Sequence, residues 1–89
     1  MSIQTPKTDS IKIISNYFSY LHSIGFILGE LIDVIEYNKD IYNLVIKEYN
    51  DNKNHTDTVT YRFTVYWDKG IVETISKYGR CIESLYTYI

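Results

Sequence analysis

Residues 58–76 read TVTYRFTVYWDKGIVETIS. In an extended chain Val59, Tyr61, Phe63, Val65 and Trp67 share one face, and Thr58, Thr60, Arg62, Thr64 and Tyr66 share the other. Period-two alternation in β-branched and aromatic residues fits a half-buried strand. Asp68-Lys69-Gly70 then supplies a turn, because Gly70 can take the positive φ that a short hairpin loop needs. Residues 71–76 return as a second strand. The stretch predicts a hairpin whose Tyr/Phe/Trp face floors the core.

On the N-terminal side of this hairpin lies NDNKNHTD, an all-polar loop at residues 50–57 that is expected to be mobile. Before it, residues 29–37 and 41–49 predict two further strands joined at Asn38-Lys39-Asp40. Neither alternates cleanly. Leu28, Leu31, Ile35, Tyr42, Val45 and Tyr49 also fit a helical heptad. Strands are preferred because β-branched and tyrosine residues dominate and the Asn-Lys-Asp triplet breaks the run. As strands, both would have apolar side chains on both faces, so the second face also calls for a cover.

Residues 1–7 read as a loose arm, and a helix starts at Thr5-Pro6 or Thr8-Asp9. At ~100° per residue, Ile11, Ile13, Ile14, Tyr17, Phe18, Tyr20, Leu21 and Ile24 fall on one half of the wheel. Lys12, Ser15, Asn16, Ser19, His22 and Ser23 fall on the other, and Gly25 is the natural stop. The apolar arc is wider than one core contact requires, so its edge is covered by other elements of the chain or by a partner.

Beyond Gly70 two periodicities compete. Ile71, Ile75, Tyr78, Ile82, Leu85 and Ile89 repeat at helical spacing, yet Gly79 interrupts them and 71–74 continues the hairpin. The expectation is a strand to about Tyr78, a break at Gly79 and a short helix over residues 80–88, with Ile82, Leu85, Tyr86 and Ile89 inward and Cys81 as a small core residue of that helix. The fold class that follows is α+β: an N-terminal amphipathic helix and a short C-terminal helix packed on a four-stranded antiparallel sheet. One domain accounts for the 89 residues. Had residues 71–89 formed one helix after three strands, the element order would resemble the double-stranded-RNA-binding domain. That family carries a lysine cluster where this chain has Arg80, Cys81, Ile82 and Glu83.

Ile, Tyr, Lys and Asn make up 37 of the 89 residues, and alanine is absent. These are AT-rich codons, and a short, AT-biased chain without motifs fits a phage or mobile-element accessory gene. Net charge is −2, but residues 26–51 hold six acids against two lysines. That acidic middle opposes nucleic-acid binding by counterion release. Cys81 is the sole cysteine, which excludes an internal disulfide and fits a reducing compartment. The apolar run over residues 26–35 contains Glu30 and Asp33 and is too short to span a bilayer. With no signal-peptide pattern near Ile11–Ile14, the expected location is the cytoplasm, or the host cytoplasm for a viral protein. Asn54-His55-Thr56 matches a glycosylation sequon, which without a secretory route is read as chance.

His22, His55 and Cys81 have no paired spacing for zinc, so no metal or other cofactor is expected. No Ser or Cys has a base and an orienter in view. Glu30 with Glu36, and Glu36 with Glu48 across a hairpin, are the carboxylate pairs that could share a site, but acid–base work needs a cleft that raises a pKa. An enzyme is therefore not expected. Ten tyrosines remain. Tyrosine offers stiff contact area with a polar tip, which binding surfaces favour. The candidate surface is Arg62, Tyr66 and Trp67 with Tyr86 and Tyr88, and Tyr42 and Tyr49 follow. The expectation is a non-enzymatic protein-binding module, an inhibitor of a host enzyme or defence complex or a homo-oligomer. The alternative is a small-ligand binder that stacks a nucleotide base on Tyr and Trp between protomers, with Arg62, Arg80 and Lys69 on phosphate. Nucleic-acid binding ranks third.

Overall fold

The computed structural model describes residues 6–49 and 56–88. One helix, α1 (Pro6–Ser23), precedes five strands: β1 (Glu30–Asn38), β2 (Ile41–Tyr49), β3 (Thr56–Tyr66), β4 (Ile71–Ser76) and β5 (Gly79–Ser84). A 3-10 turn, η1 (Leu85–Tyr88), follows. The strands form one antiparallel meander in the order β1-β2-β3-β4-β5. The α+β class and the N-terminal helix on an antiparallel sheet agree with the sequence reading.

The helix ends as its sequence dictates. Gly25 adopts φ 81° and donates its N–H to the His22 carbonyl at 3.2 Å, while the Phe26 N–H reaches the Leu21 carbonyl at 2.9 Å. This paired 6→1 and 5→2 arrangement is a Schellman cap, which needs a residue tolerant of the left-handed region. Ile13, Ile14, Tyr17, Phe18 and Leu21 are buried, a narrower stripe than the sequence arc. Ile11, Tyr20 and Ile24 are exposed. Ser10, one turn before Ile13 and Ile14, is also buried, and its hydroxyl donates to Asp40 Oδ1 at 2.6 Å.

The central hairpin is present. Val65 pairs with Val72 and Phe63 with Thr74 across it, and Gly70 takes φ 66°. Tyr61, Phe63 and Val65 are buried with Tyr42, Leu44 and Ile46 of β2 and Val72 of β4. The turn spans residues 67–70, so Trp67 leaves the strand that the alternation had assigned to it. The strands expected over 29–37 and 41–49 form as Glu30–Asn38 and Ile41–Tyr49, as preferred over the heptad reading.

The C-terminal quarter needs correction. There are five strands, not four, and the expected helix over 80–88 is a fifth strand plus a single 3-10 turn. Gly79 does not break a helix: it pairs with Ser76 and opens β5 after the two-residue turn Lys77-Tyr78. The Tyr78 N–H bonds to Ser76 Oγ at 3.0 Å, so the serine hydroxyl organises that turn. Ile82 and Tyr86 are exposed rather than inward, Leu85 is buried as expected, and Cys81 is half-buried on a strand. The helical spacing has a plain explanation. Ile71 and Ile75 are four apart, which is one face of a strand as well as of a helix. Ile82, opposite Glu73, lands on that same face after the hairpin turns.

η1 closes the core over α1. Tyr17 donates its hydroxyl to the Cys81 carbonyl at 2.9 Å, and Asn16 Nδ2 donates to the Tyr88 carbonyl at 3.0 Å. The Tyr88 ring lies 5.2 Å from that of Tyr17 and 6.0 Å from that of Tyr20. The expected loose arm at 1–5 and most of the polar loop, residues 50–55, lie outside the described residues; within those spans, Pro6 and Lys7 already belong to α1 and Thr56 and Asp57 to β3.

Candidate functional site: the open outer face of the sheet

Alternation gives the sheet two faces, and the helix covers one. On the other, a row of side chains runs across all five strands: Ile35, Asn43, Arg62, Ile75 and Arg80. On one side of it lies the row Ile41, Thr64, Glu73, Ile82, and on the other Asp33, Val45, Thr60. Large apolar side chains stay in water here: Tyr37 is 59% exposed, Ile75 53%, Ile35 47% and Ile82 44%. These apolar side chains flank a polar centre of Asn43, Arg62 and Thr64, so the face offers two apolar borders around a charged middle.

Two charge arrangements organise the face. Arg62 lies with Cζ 4.4 Å from the centroid of the Tyr37 ring. Tyr37 follows Ile35 by two residues, so strand alternation puts it on the same face, at the register shift between Glu36 and Asn38. The cation–π contact orients the guanidinium and leaves its N–H edge free for a carboxylate or carbonyl. Glu73 is buried and accepts from Arg80 Nε and from the Tyr66 hydroxyl at 3.3 Å. Lys69 Nζ lies 5.3 Å from the Tyr66 ring centroid.

The five residues named from sequence therefore divide. Arg62 and Tyr66 sit on the outer face, exposed and half-buried respectively. Trp67 is half-buried against the core and donates Nε1–H to Asp40 Oδ1 at 3.1 Å. Tyr88 is buried against α1, and burial pushes its phenol up to about 12. Tyr86 is exposed beside Gly70, away from the Arg62 row. Of the second choices, Tyr42 is in the core and Tyr49 is exposed. Sequence reasoning passed over Ile35, Tyr37, Ile75 and the Glu73–Arg80 pair, because only the strand register places them around Arg62.

The carboxylates weighed for acid–base work are separated. Glu36 pairs in register with Tyr42, whereas Glu48 is buried at the far end of β2. Glu48 accepts from the Tyr61 hydroxyl at 2.7 Å and lies 2.9 Å from Lys77 Nζ. Burial, and then the bond to Glu48, raise the Tyr61 phenol, and the same carboxylate raises the Lys77 ammonium. Both groups thus hold their protons, which makes this a closing contact of the core rather than a proton relay. Among the described residues no three His, Cys, Asp or Glu side chains gather as metal ligands, and no helix is long and apolar enough to cross a membrane.

No family model, curated protein or solved structure matches the chain. Function is therefore argued from the face itself.

Proposed function

We propose that the chain is a non-enzymatic protein-binding module that uses the outer face of its sheet, either to cover a surface of a partner or to assemble with itself. The observation that carries this reading is the exposed cluster Ile35, Tyr37, Ile75 and Ile82 around an oriented Arg62. Aromatic and arginine side chains ringed by apolar contact are the usual centre of a protein interface. Small size, the failed search for catalytic groups and the acidic β1 strand support an accessory inhibitor of a host enzyme or defence complex, in keeping with the phage-like composition.

The test is a double substitution, Arg62→Glu with Tyr66→Ala. Affinity capture from the source cell should recover a partner with the wild-type chain and lose it with the variant. The variant should remain folded because neither side chain belongs to the core, with a thermal midpoint lowered by the loss of the Tyr66 hydroxyl from buried Glu73. Equal capture by both proteins would remove the face from the binding role.

A further inference from the structure

We propose that the outer face pairs with the same face of a second copy of this chain, about a two-fold axis that runs along the strands between β2 and β3. The self-pairing rests on this face being the binding surface. Like charges and apolar side chains decide where the axis falls. An axis over β3 would set Arg62 against Arg62, and an axis perpendicular to the strands would lay the outer-face acids of one β1, Glu30 and Asp33, over those of the other. Both are opposed by charge repulsion.

Between β2 and β3 the rows complement one another. In this arrangement β2 covers β3 of the second copy and β1 covers β4. Ile35 then meets Ile75, the two half-exposed isoleucines of the middle row. Asn43 meets Arg62, and its side-chain carbonyl accepts from the guanidinium edge that Tyr37 leaves open. Val45 meets Thr60 and Ile41 meets Thr64. Arg80 projects one strand width, about 4.8 Å, past β1 of the second copy. There its guanidinium, whose Nε stays on Glu73, comes within reach of Asp33, which together with Glu30 and Arg62 forms no ion pair among the described residues. The contact is isologous, so every pairing occurs twice. Sheets packed face to face keep their strands within about 30° of one another, so the register survives the twist.

The experiment uses cysteine pairs in a Cys81→Ser background. Within one chain Ile35 and Ile75 lie three strand widths apart, about 14 Å, well beyond the ~7 Å Cα limit for a disulfide. Oxidising a mixture of the Ile35→Cys and Ile75→Cys proteins should give a covalent dimer at least about tenfold faster than either protein alone. In the otherwise unaltered chain, Ile75→Glu should convert a sedimenting dimer of 10.5 kDa chains to monomer with unchanged circular dichroism. A wild-type chain that sediments as a monomer up to about 1 mM overturns the proposal. So does cross-linking of either single variant as fast as the mixture, which would mean another register. A monomer whose complex with a different protein still depends on Arg62 would sink the self-pairing and leave the binding reading standing. Loss of both would sink both.

Discussion

Asp40 does more than its place in a turn suggests. It is the non-glycine residue with positive φ among those described, at 64°. Its Oδ1 accepts from Ser10 and Trp67, and its carbonyl accepts from the Val65 N–H at 2.9 Å. One residue thereby ties the start of α1, the β1–β2 turn and the β3–β4 turn together. Asp40→Ala removes an acceptor from the buried Ser10 and the half-buried Trp67 and strains the backbone, and should cost about 2–4 kcal/mol in urea unfolding. Asp40→Asn keeps one acceptor oxygen and tolerates the left-handed region, so it should cost under about 1.5 kcal/mol. Similar losses for the two would mean that charge, not geometry, holds the joint. The sequence marked Asn38-Lys39-Asp40 as a turn, since those residue types favour one. Partners 30 residues before and 27 residues after Asp40 left no local trace.

At the scale of elements, close approach separates two glycines that look alike in sequence. A Cβ on Gly29 would sit 2.3 Å from the Lys47 carbonyl oxygen and 2.8 Å from Glu48 Cα, where the chain enters β1 against the backbone of β2. A Cβ on Gly25 meets nothing within 4 Å. Both have positive φ, so alanine strains either one, by about 1–2 kcal/mol at Gly25 and by more at Gly29, whose φ of 139° is open to glycine alone. Gly29→Ala adds a clash with backbone that cannot swing aside. It should lose clearly more stability than Gly25→Ala in paired urea curves, and equal losses would show that the loop relaxes. Helix α1 and the central hairpin were legible because each obeys one period over more than two turns or ten residues. The β4–β5 hairpin was not, since isoleucines at four-residue spacing satisfy a strand face and a helix face equally.

Over the whole molecule, phenols pin the layers together, and this has a pH signature. Burial raises the phenols of Tyr17, Tyr61, Tyr42 and Tyr88, with the Cys81 side chain and Glu48 adding to the effect at Tyr17 and Tyr61. A folded-state pKa above the unfolded value of 10.0 means the stabilisation is complete below pH 10 and is lost as pH rises toward the folded values. Tyr88 contributes to this fall between pH 10 and its folded value of about 12. The urea midpoint should hold from pH 8 to 10 and then drop steeply, with tyrosinate absorbance rising at the unfolding transition. A midpoint unchanged to pH 12 would contradict the burial of these rings. The surface tyrosines have a different role. Tyr37 orients Arg62 on the open face, and Tyr66 holds Glu73 beside Arg80.

Local chemistry alone determined the amphipathic helix and its glycine stop, the alternating central hairpin and the α+β class, because period, turn residues and cap residues act over neighbours in the chain. It also told that the strands had apolar residues to spare on a second face. Only the tertiary structure decided which side chains share that face. Strand register, with its shift near Tyr37, brings Ile35, Arg62, Ile75 and Arg80 into one row from four strands. Contacts between residues this far apart in the chain depend on how strands pair, and no local pattern encodes them.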